Sequence, residues 1–141
     1  MMAISTKTIQ LTSKGNADAQ DITAKVAKEL FDSGIINGTI TIFTASSTSA
    51  LTTIEYEPGA IHDLQRLLDE IIAPERTYAH NARWGDGNGH SHVRASLLGP
   101  DITIPFIDRN MTLGTWQQII FIDFDIRPRK RAIILQIVGD C

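Results

Sequence analysis

Arg129-Lys130-Arg131-Ala132-Ile133-Ile134-Leu135-Gln136-Ile137-Val138, near the end of the chain, decides how the rest is read. A nearly continuous apolar run rich in branched residues suits a central strand, against which other strands can pair. Working outward, Ile119-Ile120-Phe121-Ile122-Asp123-Phe124 is a second strand, entered through Gly114-Thr115-Trp116-Gln117-Gln118. Before it, Asp101 to Phe106 and Met111 to Leu113 form a pair turned around Asp108-Arg109-Asn110.

The first half alternates helices with strands. Ile4 to Thr12 is a strand with Lys7, Ile9 and Leu11 on one face, and its hydroxyl- and amide-rich other face places it near an edge. From Asp21, a plausible N-cap, Ile22, Val26 and Leu30 recur at helical spacing, and Gly34 stops the run. Thr39 to Thr44 and Leu51 to Tyr56 are strands joined through Ser46-Ser47-Thr48-Ser49. Glu55 and Glu57 then point the same way, and like charges so placed need solvent or a cation. Pro58 opens a helix with Ile61, Leu64, Leu68 and Ile71 on its stripe and His62 off it; Pro74 ends it. The stretch from Ala73 to Gly89 is irregular and carries Tyr78, His80, Arg83 and Trp84, a content that favours function. Ser91 to Leu98 is a third helix, capped by Ser91 or Asn88, with Val93, Leu97 and Leu98 as its apolar side. The expected fold is α+β, a single domain over residues 1–141, with an antiparallel sheet core and two to three helices.

Composition narrows the function classes. With 43% apolar and 21% charged residues, 141 residues are enough to bury a core. A net charge of −3 argues against a nucleic-acid partner. Arg127-Pro128-Arg129-Lys130-Arg131 runs against that trend and is either a solvated turn or an anion-facing rim beside a site. The single cysteine, Cys141, allows no internal disulfide and fits a reducing compartment. There is no secretory signal pattern and no bilayer-length apolar run, so a cytoplasmic protein without a membrane partner is expected.

The chemistry gathers in Asp86-Gly87-Asn88-Gly89-His90-Ser91-His92-Val93-Arg94. Histidines two apart share a side only on extended backbone; on a helix they diverge. If extended, His90 and His92 can share a divalent ion with His80, Asp86 or Glu55, and a nitrogen/oxygen donor set suits Zn or another first-row ion. The plainer alternative is two loop histidines, one capping a helix. A histidine general base is the third reading, with His80, His90 or His92 in that role. Arg94, in the first turn of the expected helix, is placed to hold an anion such as phosphate together with free backbone N–H groups. Ser47, Thr48 and Ser49 supply hydroxyls to a pocket or merely form a loop. Thr115, Trp116 and Gln117 suit stacking on a flat ring and bonding to its edge, the alternative being a core tryptophan.

Three stretches together carry a resemblance: Ser49-Ala50-Leu51-Thr52-Thr53-Ile54, the run from Gly87 to Pro100, and Leu113-Gly114-Thr115-Trp116-Gln117. In this order they resemble the YjbQ family over nearly the whole chain. The resemblance implies a compact α+β fold with a sandwich-like antiparallel sheet core, assembled as a homotrimer with pockets near subunit contacts. It also implies a weak secondary thiamine-phosphate synthase activity, in which a divalent ion, Zn or Mg, assists pyrophosphate departure from phosphorylated substrates. The matching positions are His80, His92 and, in this form of the motif, His90, as metal ligands or acid–base groups, with Asp86 beside them. Arg94 matches a basic family position that would meet phosphate; Asn88, Thr115, Trp116 and Gln117, with Ser47, Thr48 and Ser49, are the expected substrate contacts. One departure matters: Ser47 stands where many members carry a histidine, and Glu55-Tyr56 replaces their Asn-Glu. Glu55 or Glu57 is the expected substitute ligand.

Overall fold

The computed structural model describes all residues, 1–141. Eight strands and four helices follow in the order β1 (Met2–Ser13), β2 (Asp18–Asp21), α1 (Thr23–Asp32), β3 (Asn37–Thr44), β4 (Ser49–Ile54), α2 (Pro58–Ile71), α3 (Ala79–Trp84), α4 (Gly89–Leu98), β5 (Asp101–Ile107), β6 (Asn110–Met111), β7 (Gln118–Asp123) and β8 (Arg129–Asp140). All strand pairs are antiparallel, in one sheet ordered β1-β8-β3-β5-β6 and a second ordered β2-β7-β4. The expected α+β class with an antiparallel core holds, with α3 and the short β2 as elements that periodicity does not announce.

β8 is central to the larger sheet, flanked by β1 and β3, and β1 lies at the edge as expected. Its inward residues Ile133, Leu135 and Ile137 meet Ile9 and Leu11 of β1, Ile40 and Ile42 of β3, and Ile104 and Phe106 of β5. Leu51 of β4 and Ile119 and Phe121 of β7 close the same core from the second sheet, with α1 adding Ile22, Val26 and Leu30. The alternate residues of β7, Ile120 and Ile122, face the other way and pack with Leu68, Ile72 and Ala95 from α2 and α4. β7 is therefore covered on both faces, which explains its unbroken apolar run. At its end, Asp123 is wholly buried.

Three expectations fail locally. β4 ends at Ile54, so Glu55 and Glu57 do not share a strand face; Glu57 instead caps α2, accepting from the Gly59 and Ala60 N–H groups. Those two bonds hold its carboxyl below the usual glutamate range. On α2 the buried stripe ends on Leu68 and Ile72, while Ile71 turns outward. On α4 the apolar side is the exposed one: Val93 is 46% and Leu97 62% exposed, while His90, Ser91, Arg94 and Ala95 are buried.

Candidate functional site

α4 begins two residues earlier than its apolar pattern suggests, at Gly89. The Asn81 side chain accepts from the Gly89 N–H at 2.8 Å, supplying the first-turn partner that Asn88 and Ser91 do not. A Cβ on Gly89 would lie 2.4 Å from Tyr78 Cβ, so only glycine lets this turn sit against the residue before α3. Gly89→Ala is accordingly expected to displace the start of α4, costing ~1–3 kcal/mol. Thermal melting checks the cost, and a shift in the His92 ring resonance reports the displacement.

The early start puts both histidines on the helix, where residues two apart point in different directions. They line different cavities. His92 borders a polar hollow of about 440 Å³ formed by the Ala45–Thr48 turn, Asp86, Asn88, Asp125, Arg129 and Arg131. His90 borders another, with Arg94, Asp69 and Gln65. The fourfold metal set of His80, His90, His92 and Asp86 does not assemble, and no three His, Cys, Asp or Glu side chains converge as a metal cluster.

Around His92 the polar groups are ordered. Its Nδ1 lies 3.1 Å from the Ser47 carbonyl. A carbonyl only accepts, so Nδ1 is the nitrogen that carries the hydrogen in this contact, and Nε2 is left out of it. The His80 ring lies 4.5 Å away, tilted by 51°. Its Nδ1 is 3.2 Å from Asp86 Oδ1, close enough for an ion pair although off the hydrogen-bond angle. Asp86 also accepts from the Asn88 N–H at 3.0 Å. Asn88 is buried, its Oδ1 accepting from Ser91 Oγ and the Ile126 N–H, which ties the motif to the connection between β7 and β8.

The opposite wall is a charge network. Arg131 grips Asp123 through Nε at 2.7 Å and Nη2 at 3.0 Å, and its Nη2 also donates to Thr48 Oγ1 at 2.8 Å. Arg129 Nε lies 3.1 Å from Asp125, whose carboxylate also accepts from Thr48 Oγ1. Burial alone would raise the Asp125 carboxyl; the Arg127 N–H, the Arg129 guanidinium and the Thr48 hydroxyl outweigh it and hold it below the ordinary aspartate value. The basic run is thus split: Arg129 and Arg131, two apart on β8, line the site, as the rim reading had it. Asp123, Asp125, Arg129 and Arg131 escape a motif search, although two carboxylates and two guanidiniums each spaced by two on strand-like sequence are a legible signal.

The remaining candidates disperse. Ser49 is buried against Thr44 Oγ1 and lines a neighbouring hollow on the far side of His92. Arg94 holds no free anion position in the His92 cavity: its Nε and Nη2 donate to the Ile72 carbonyl and Nη2 to Asp69, closing the end of α2. Thr115, Trp116 and Gln117 sit where Ile54 pairs with Gln118, whereas the site lies where Ser49 pairs with Asp123. Five residues of strand separate the two ends, roughly 17 Å. Trp116 is 71% exposed there and is not a core residue.

His90 is 4% exposed. Burial pushes its imidazole below the usual histidine value, and the Arg94 charge adds to this, partly offset by Glu75, the Gly87 backbone and Asp69. A histidine depressed in the folded state binds its proton more readily when unfolded. The stability it supports is therefore present above about pH 6.5, the unfolded value, and declines as pH falls through the window below it. His90→Gln is expected to flatten that decline between pH 7.5 and 5.5, as followed by urea unfolding; an unchanged slope would count against it.

Comparison with known proteins agrees with this architecture. Residues 7–140 match the family model described as UPF0047 protein YjbQ-like. A UPF0047 protein of Methanothermobacter thermautotrophicus is 38% identical over 138 residues, covering 98% of this chain and 94% of the relative. The UPF0047 protein YugU of Bacillus subtilis is 29% identical, covering 94% and 98%. Among solved structures, a YbjQ-like protein of unknown function from Sulfolobus solfataricus superposes with a TM-score of 0.94 at 31% identity, covering 99% of this chain and all of that one.

Proposed function

The chain belongs to the YjbQ-like UPF0047 family, and from that premise we propose that the His92 cavity binds a small phosphorylated metabolite, with His92 as the proton-transferring group. The observation that carries this reading is which groups retain open valences. Asp123 and Asp125 are committed to Arg131, Arg129 and Thr48, while Asp86 meets Asn88 and His80 through Oδ1 and keeps Oδ2 as an open acceptor. What remains is largely donors: the terminal amino groups of Arg129 and the hydroxyls of Ser46 and Ser47. An anionic oxygen satisfies such a set, and a guanidinium–phosphate bond is of the stronger, charge-assisted kind. His92 then presents Nε2 to the bound molecule, oriented by the Ser47 carbonyl and backed by the His80–Asp86 pair.

Isothermal titration with a panel of phosphorylated metabolites tests the reading. Arg129→Ala is expected to weaken the bound member by at least about tenfold, the effect of losing a hydrogen bond to a charged group. His92→Ala is expected to retain binding while lowering any turnover by roughly 10²–10⁴. Affinity unchanged in Arg129→Ala would overturn it.

Thiamine-phosphate synthesis, which the resemblance implies, is the more demanding form of this proposal. It would require the site to hold a diphosphate and a phosphate at once, against two guanidiniums that already carry carboxylate partners; single-phosphate binding therefore comes first. A divalent ion does not fit the donor set as it stands. Catalytic zinc usually takes three protein ligands, whereas here His80, His92 and Asp86 lie near one another without three donors converging on one point, and Ser47 takes the place of a family histidine. Self-association into a homotrimer is the partner proposal. The exposed pairs Leu67 and Ile71 on α2 and Val93 and Leu97 on α4, each four residues apart, support a covered surface. Light scattering at several concentrations reads the state directly. No helix is long and apolar enough to cross a membrane.

A further inference from the structure

The second histidine of the motif opens on a different hollow, about 220 Å³, between α2, α4 and the turn after β1, bordered by Asn16, Gln65, Asp69, Pro74, His90 and Arg94. Three features mark it as built for a ligand. His90 is 4% exposed, yet its Nδ1 is buried without a hydrogen-bond partner, a costly state for an imidazole nitrogen. Arg94 is 3% exposed and spends only Nε and Nη2 on Ile72 and Asp69, so its Nη1 engages no protein acceptor. Gln65 is turned by its amide nitrogen onto the Ala17 carbonyl, fixing that wall.

We infer that this hollow is a second binding site, for a small oxyanion whose oxygens meet Arg94 Nη1 and the ring of His90. A buried guanidinium with a free end attracts an anion more strongly than one in water, because the surrounding dielectric is low. Burial disfavours the charged form of His90, and the ring can supply an N–H, its tautomer adjusting to the ligand. Asp69 borders the same space, and its charge opposes a multiply charged guest. The chemistry is therefore that of a carboxylate or a singly charged phosphate, smaller than the metabolite proposed for the His92 cavity. The helix separates the two sites: one turn of α4 presents His92 to one and His90 to the other.

The test uses the full chain with nitrogen-15-labelled histidine, titrated separately with acetate and inorganic phosphate. A saturable shift of the His90 ring nitrogens with either anion supports the site; acetate alone identifies a carboxylate guest and phosphate alone a phosphate one. The shift should persist in Arg129→Ala, which impairs the other cavity, and its midpoint should rise at least about tenfold in Arg94→Lys, which removes the free Nη1 while leaving the His90 ring to report. If neither anion moves the His90 signals of the wild-type protein, the hollow holds only water and the inference falls. A shift that disappears in Arg129→Ala would assign the anion to the His92 cavity and overturn it equally.

Discussion

Arg131→Met is expected to unfold this protein more easily by ~3–5 kcal/mol, the cost of stranding a buried charge. Asp123 is wholly buried and receives two of its hydrogen bonds from this one guanidinium, at 2.7 and 3.0 Å. Ser13 Oγ also donates to Asp123, but a hydroxyl does not neutralise a carboxylate. Methionine matches much of the aliphatic length of arginine, so little of the loss should come from a void. The charge supplies the rest: without Arg131, the buried Asp123 carboxylate loses its guanidinium partner. The double variant Arg131→Met with Asp123→Asn should recover part of the stability even at neutral pH, since both charges go together. Urea unfolding of the single and double variants measures this. A loss below about 1 kcal/mol, typical of surface ion pairs, would show that the network is solvated and not structural.

Arg94→Met ranks next, at ~1–3 kcal/mol. The Ile72 carbonyl follows the last turn of α2 and accepts from Arg94 through both Nε and Nη2, at 3.2 and 2.9 Å. A helix leaves its final carbonyls without internal partners, and a buried one must find a donor elsewhere. Arg94 supplies it from α4, twenty-two residues on, and so ties two helices together on the outer face of the second sheet. Asp69, its other partner, is largely exposed and can be solvated when the arginine goes, which is why the expected loss is smaller than at Arg131. Arg94→Lys should not restore stability fully, because an ammonium cannot reproduce the fork that reaches both Ile72 and Asp69. The urea midpoints of the methionine and lysine variants decide this, and full rescue by lysine would contradict the fork geometry.

Residues themselves determined much of the fold. Alternation on β1, the apolar run of β8, the hairpin at Asp108 and the stripe of α1 each record local geometry, and local geometry is what a period in sequence encodes. Asp108 and Arg109 even take left-handed backbone, as a tight two-residue hairpin turn requires. The region holding Asp86, Asn88 and His92 was equally legible, because polar residues around glycines mark backbone that serves something other than a core. What the pattern could not supply was the direction of each side chain on α4. Its Val93 and Leu97 look like a buried stripe by composition, yet the helix turns its His90, Ser91 and Arg94 inward. That choice is made by partners distant in sequence: the Phe124 carbonyl and Asn88 for Ser91, the Ile72 carbonyl for Arg94, the space left beside Tyr78 for Gly89. Hydrogen bonding of buried groups outweighed the apolar stripe.

The sequence by itself determined a single α+β chain with antiparallel strands and a histidine-bearing turn before a helix. Only the tertiary structure decided that His90 and His92 serve separate hollows, that Arg129 and Arg131 stand opposite His92, and that Trp116 lies at the far end of the sheet. The reason is physical. Periodicity reports which residues a short element can bury, whereas a site is made by the meeting of elements, and that meeting is set by long-range pairing of charges and carbonyls that no local window contains.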